Sequence, residues 1–161
     1  MTFSPLTIRR LKNFRSNKRG YYSTLIFCVL FFISIFAEFI ANDKPIFVFF
    51  EQKIHFPVFE KISETFYGGE FETEADYKDP YVRDLINKKG FLIMPPIESS
   101  YDTINYDLKV PSPSPPTLEN LLGTDDQGRD VLARLIYGFR ISVFFGLTLT
   151  ILSSFIGILA G

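Results

Sequence analysis

Two long apolar runs constrain this chain more than any other feature. Residues 22–41 read YSTLIFCVLFFISIFAEFIA, with Glu38 as the only charge, and residues 141–161 read ISVFFGLTLTILSSFIGILAG, with none. At the helical rise per residue, each run spans about 30 Å, the thickness of a bilayer's hydrocarbon core. A helix satisfies all its backbone polar groups internally, so each run is expected to cross a membrane as a helix. Glu38, one turn from the end of the first run, can reach headgroups and water. It therefore reads as an interfacial carboxylate rather than part of an ion path.

Charge fixes the expected orientation. Arg9, Arg10, Lys12, Arg15, Lys18 and Arg19 fall within the first 20 residues, where there is no acid. Basic residues are retained on the cytoplasmic side, so the N-terminus is expected inside and the segment after the first span outside. A cleaved signal peptide would have a shorter apolar core and small residues before the cut, whereas here Phe39 precedes Ala41 by two positions. The first run reads as an uncleaved anchor. It is crowded all round with Phe, Ile and Leu, as a lipid-facing helix would be.

The second run differs. Ser142, Gly146, Thr150, Ser153, Gly157 and Gly161 recur at steps of three or four and share one face. Small residues let another helix backbone approach closely, so this stripe is expected to be a helix-packing surface.

Between the spans the chain is acidic, holding most of its Asp and Glu. Strand-like runs at 45–50 (PIFVFF) and 91–94 (FLIM) alternate with turn signals at Gly68-Gly69, Lys89-Gly90 and Pro95-Pro96. A short helix is expected over 80–87, with Pro80 in its first position and Val82, Leu85 and Ile86 on one face. This predicts a small external domain of mixed structure resting on a larger partner surface. PSPSPP at 111–116 reads as an extended linker separating two units. Beyond it, Thr124 and Gln127 have capping-box spacing, predicting a helix from near Asp125. Val131, Leu132, Leu135, Ile136 and Phe139 give that helix an apolar face suited to the outer membrane interface.

The expected organisation is therefore a cytoplasmic basic N-terminus (1–21), a first span (22–41), an external insert (42–120), an amphipathic interfacial helix (121–140) and a second span (141–161). The predicted fold class is membrane, mainly α, with two transmembrane helices flanking an external mixed α/β insert. One His, one Cys inside a span and no nucleophile–base arrangement argue against an enzyme, and no residues have metal-ligand spacing. GTDDQGRD lacks the Lys of a phosphate loop and any preceding strand, which argues against a nucleotide site.

Residues 121–150, LLGTDDQGRDVLARLIYGFRISVFFGLTLT, resemble the opening of the second permease subunit in ABC importers of the peptide and nickel family. The residues that carry the likeness are Leu122, Gly123, Thr124, Asp125, Gly128, Arg129, Asp130, Arg134, Tyr137, Gly138, Arg140 and Ser142. YGGEFETEADYKDPYV at 67–82 and PPIESSYDTINYDLKVPSPSPP at 95–116 look like the enlarged external insert of the microcin C and oligopeptide transporter branch.

The resemblance implies an inner-membrane permease subunit of an ATP-driven peptide importer, with N-terminus cytoplasmic and insert periplasmic. Its implied partners are a second permease subunit, two cytoplasmic ATPase subunits that use the ATP, and a periplasmic peptide-binding protein. No cofactor of its own is implied. Such permeases have a six-helix fold and a cytoplasmic coupling loop with a Glu-Ala-Ala motif, neither of which fits in these two spans. The expectation is thus the N-terminal portion of a permease, truncated and not transport-competent alone. A two-span membrane adaptor or receptor whose external domain binds a partner is the alternative reading.

Overall fold

The computed structural model describes residues 4–161. The described residues up to 35 form one compact unit and residues 36–161 a second. In the first, helix α1 (Pro5–Ser16) starts on Ser4, whose hydroxyl accepts from the Thr7 N–H at 3.3 Å, with Pro5 in the first turn. Asn17 ends α1, and its side-chain oxygen accepts from Gly20 N–H at 3.3 Å within helix α2 (Lys18–Ile35). α2 is long and apolar enough to cross a membrane, and nearly all its side chains point outward. A soluble protein would bury such a surface; a helix surrounded by lipid has no reason to.

The second unit opens with the short helix α3 (Ala37–Ile40), then strands β1 (Phe47–Phe50) and β2 (Lys53–His55). Glu51 and Gln52 join the two strands with φ of 47° and 65°, the left-handed pair that a two-residue hairpin needs to match strand twist. A one-turn 3₁₀ helix (Glu64–Tyr67) follows, then α4 (Pro80–Lys89) and β3 (Gly90–Ile93). β3 pairs antiparallel with β1, giving the order β2-β1-β3. The helix predicted over 80–87 begins at Pro80 and runs to Lys89. Its N-cap is Asp79, which accepts from Tyr81 N–H at 2.9 Å.

One face of this sheet makes the core of the insert. Val48 and Phe50 from β1 meet Val82 and Ile86 from α4, together with Ile62, Tyr67, Ala75 and Tyr77. Each large apolar side chain buried there contributes about 1.5–3 kcal/mol. The Tyr67 and Tyr77 hydroxyls satisfy each other at 3.2 Å. Burial pushes both hydroxyls above the ordinary tyrosine range, so they stay protonated.

The last element, α5 (Val131–Ala160), is one continuous helix of 30 residues. The sequence places a helix start near Asp125, but the structure starts it at Val131. Asp130 is the N-cap, accepting from Ala133 N–H at 2.7 Å, while Thr124 is engaged elsewhere. At about 45 Å, α5 exceeds the hydrocarbon thickness, so its first turns extend beyond the lipid core. The amphipathic stretch and the second span are therefore parts of the same rod.

Ile86 is fully buried between α4 and the sheet. Ile86→Ala is expected to cost about 2–5 kcal/mol of insert stability. Thermal unfolding of the detergent-solubilised chain would show this as a lowered midpoint, and an unchanged midpoint would contradict the packing described.

Candidate functional site

The residues from Gly123 to Arg140 form a loop and helix start that bind the insert to the N-terminal end of α5. Gly123 and Gly128 have φ of +75° and +81°, conformations that L side chains rarely adopt. A Cβ on Gly123 would also lie 2.4 Å from the Ser114 carbonyl oxygen, so only glycine fits there. That proximity lets the Thr124 N–H donate to the Ser114 carbonyl at 3.1 Å. Ser114 N–H donates to the Thr124 hydroxyl at 3.0 Å, and the two hydroxyls lie 3.0 Å apart. The Pro-rich stretch at 111–116 is thus fastened to the loop, where the sequence suggested a linker between separate units.

Asp125 organises the loop. Its Oδ1 accepts from the Gln127 and Arg129 N–H groups, each at 2.9 Å, and its Oδ2 from Arg129 Nε at 2.8 Å and from Arg134. The Asp125 N–H donates to the Arg129 carbonyl at 2.9 Å, and Gly128 N–H to the Asp125 carbonyl at 3.1 Å. Burial works to raise the pKa of Asp125. The hydrogen bonds from Arg129 and Gln127, with the charge of Arg129, outweigh it and hold the carboxyl at about 2. The Gly128 carbonyl accepts from Asn105 N–H at 3.0 Å, extending the loop to the 95–110 segment. Asp130, 2% exposed, closes it by capping α5.

One turn further along α5, Tyr137 and Arg140 meet the 37–41 segment. The Tyr137 hydroxyl donates to the Ala41 carbonyl at 2.9 Å, and its ring lies 5.2 Å from that of Tyr101. Arg140 forks onto Glu38, with Nη1–Oε2 at 2.8 Å and Nη2–Oε1 at 3.0 Å, and its guanidinium stacks over Tyr137 at 5.1 Å. Ala37, Ala41, Ala133 and Tyr137 form a small buried cluster flanked by Ile97 and Ile136. Tiny side chains at three of these positions let the two helices approach closely.

Of the residues singled out in sequence, Gly123, Thr124, Asp125, Gly128, Arg129 and Asp130 form the loop, and Arg134, Tyr137 and Arg140 lie on the first turns of α5. Gly138 is exposed, with open space where a Cβ would be. Ser142, Gly146, Thr150, Ser153, Gly157 and Gly161 are all exposed along one face of α5. Thr150 and Ser153 turn their hydroxyls back onto the helix, to the carbonyls of Gly146 at 2.7 Å and Thr150 at 3.3 Å. Sequence reasoning missed the pairing of Glu38 with Arg140. The signal was available: Glu38 lies near the C-terminal end of the first apolar run and Arg140 immediately before the second, and the two are opposite in sign. Among the described residues, no group of His, Cys, Asp or Glu could hold a metal ion.

Known proteins give the comparison. The chain is 46% identical to the peptidoglycan transport system permease protein YejE of Agrobacterium fabrum, over 99% of this chain and 48% of that protein. It is also 46% identical to the inner membrane ABC transporter permease protein YejE of Escherichia coli, over 98% of this chain and 46% of that protein. A shorter stretch is 62% identical to the dipeptide transport system permease protein DppC of Haemophilus influenzae, covering 23% of this chain and 12% of the relative. The chain spans about half the length of the YejE relatives it matches. No protein-family profile matches it, and no solved structure does.

The low pKa of Asp125 has a direct consequence for stability. A depressed folded-state value stabilises the loop above the ordinary carboxyl pKa of 3.8, and the benefit is lost as pH falls towards about 2. Asp125→Asn is expected to lower the thermal midpoint at pH 6. The gap from the native chain should close as the pH is taken below 3.8. A gap independent of pH would contradict the ionised-anchor role.

Proposed function

We propose that this chain, a homologue of the YejE permeases and so a member of the ABC-importer permease family, supplies the entry portion of a permease subunit for peptide-class solutes. The observation that carries the reading is 46% identity to two YejE permeases along nearly the whole chain. The Agrobacterium relative is named for peptidoglycan transport, which sets peptidoglycan beside oligopeptides and microcin C as a cargo for this reading. In this reading α2 and α5 cross the inner membrane, the N-terminus is cytoplasmic and the insert periplasmic. The partners are a second permease subunit, two cytoplasmic ATPases that hydrolyse ATP, and a periplasmic peptide-binding protein.

The chain contributes no catalytic group to that assembly. Its part is to build one wall of the path and to carry an external insert rigidly on the outer end of α5. The stripe from Ser142 to Gly161 faces outward along α5, with no neighbour within 4 Å of where a Cβ on Gly146 or Gly157 would sit. In lipid such a stripe is an approach surface for a second helix, and in the transporter its neighbours would be further permease helices.

A bulky apolar residue there tests both points. Gly146→Leu keeps the helix apolar, so membrane insertion should be unchanged. Recovery of the second permease and the ATPases with the tagged chain from native membranes should fall on the order of tenfold, equivalent to about 1.4 kcal/mol. Equal recovery would remove the packing role of the stripe. Absence of any permease or ATPase partner with the native chain would contradict the importer assignment itself.

A further inference from the structure

The sheet of the insert has a second face that its own core does not use. Register places Ile54, Phe49 and Phe91 in one row across β2, β1 and β3, with Phe47 opposite Ile93 in the next. Phe56, two residues after Ile54, continues that side by strand alternation. Ile54, Phe56, Phe91 and Ile93 are exposed, and Phe47 and Phe49 are half-buried, with the Phe91 ring lying 5.9 and 5.6 Å from theirs. The opposite face, with Val48 and Phe50, is the one covered by α4. A soluble monomer rarely presents such a contiguous apolar surface.

Its position selects what covers it. Phe59, at the end of the turn after β2, packs its ring 5.9 Å from Phe39, a residue of α3 in the apolar run of the first span. Phe59 is itself 72% exposed. The chain leaving that span is tied to the sheet through Asn42 N–H to the Ile97 carbonyl at 3.0 Å and Ile46 N–H to the Ile93 carbonyl at 2.8 Å. Ala37 and Ala41 of the same segment pack on Ala133 and Tyr137 of α5, so the sheet is built onto the N-terminal end of a helix long and apolar enough to cross a membrane, and no charged side chain interrupts the two rows of its aromatic face. Aromatic side chains concentrate at the boundary between hydrocarbon and headgroups, where an apolar body stays shielded from water.

We propose that this face, Phe47, Phe49, Ile54, Phe56, Phe91 and Ile93, lies on the bilayer and beds the insert into its interfacial layer. The insert then rests against lipid on one face and keeps α4 towards the aqueous side. This inference depends only on the membrane-spanning character of the two long helices, and stands apart from the choice of cargo.

The sequence contains no tryptophan, so one introduced indole reports alone. The full chain carrying Phe91→Trp is reconstituted into phosphatidylethanolamine/phosphatidylglycerol vesicles, with and without lipids brominated near the headgroup end of the acyl chain. The expected result is blue-shifted emission, strong quenching by the brominated lipid and loss of iodide quenching. Ile54→Trp, on the far strand of the same face, should behave alike and guards against a local defect. Tyr81→Trp, on α4 across the sheet, should be quenched by iodide and not by brominated lipid. Iodide quenching of the Phe91 and Ile54 reporters would overturn the proposal by placing the face in water. Shielding of both from iodide and from brominated lipid would overturn it by placing protein on the face.

Discussion

The bidentate ion pair between Glu38 and Arg140, with the Tyr137 hydroxyl on the Ala41 carbonyl, decides how the external part of this chain meets its membrane helix. A carboxylate and a guanidinium at the margin of apolar runs are each costly to strip of water, and the fork geometry returns two charge-assisted hydrogen bonds for that cost. Removing either partner would leave the other half-desolvated at the membrane edge, which makes the pair obligatory once the spans are set. The alanines at 37, 41 and 133 permit the close approach that the pair requires. Three neighbouring parts of the same unit meet at or beside this joint. β1 follows it by a few residues, the 95–110 segment packs its Tyr101 against Tyr137, and the Asp125 loop sits at the start of the same helix.

The loop and the joint work as consecutive fasteners on one rod. Asp125 is held ionised by Arg129 and Gln127 and reaches Arg134 on the first turn of α5, so the loop cannot rotate independently of the helix. Thr124 pins the Pro-rich stretch, and Gly128 pins Asn105. The residues that carry the resemblance are thus tied into the contacts that fasten the loop to α5.

Much of this was legible in sequence, and what was not has physical reasons. The two apolar spans follow from length and absence of charge, which lipid enforces without reference to tertiary contacts. α4 was readable because Pro80, its N-cap neighbour and the Val82/Ile86 spacing are local signals. The start of α5 was displaced because Thr124 and Gln127 have the spacing of a cap while Thr124 is spent on Ser114; a long-range hydrogen bond took precedence over a local propensity. The Pro-rich stretch reads as a spacer by composition, and only the approach of Gly123 to Ser114 reveals it as part of a packed unit. Glu38 was visible as a charge in an apolar run, but its partner lies 102 residues away, beyond any periodic pattern.

Exchanging the charges of the joint tests it most directly. Glu38→Arg alone and Arg140→Glu alone place like charges together, and each should sharply lower the thermal midpoint of the detergent-solubilised chain. The double exchange should recover most of that loss, because the paired charges are restored with their order reversed. A double variant as unstable as the two single losses combined would show that the residues act independently, and would contradict the joint on which this account rests.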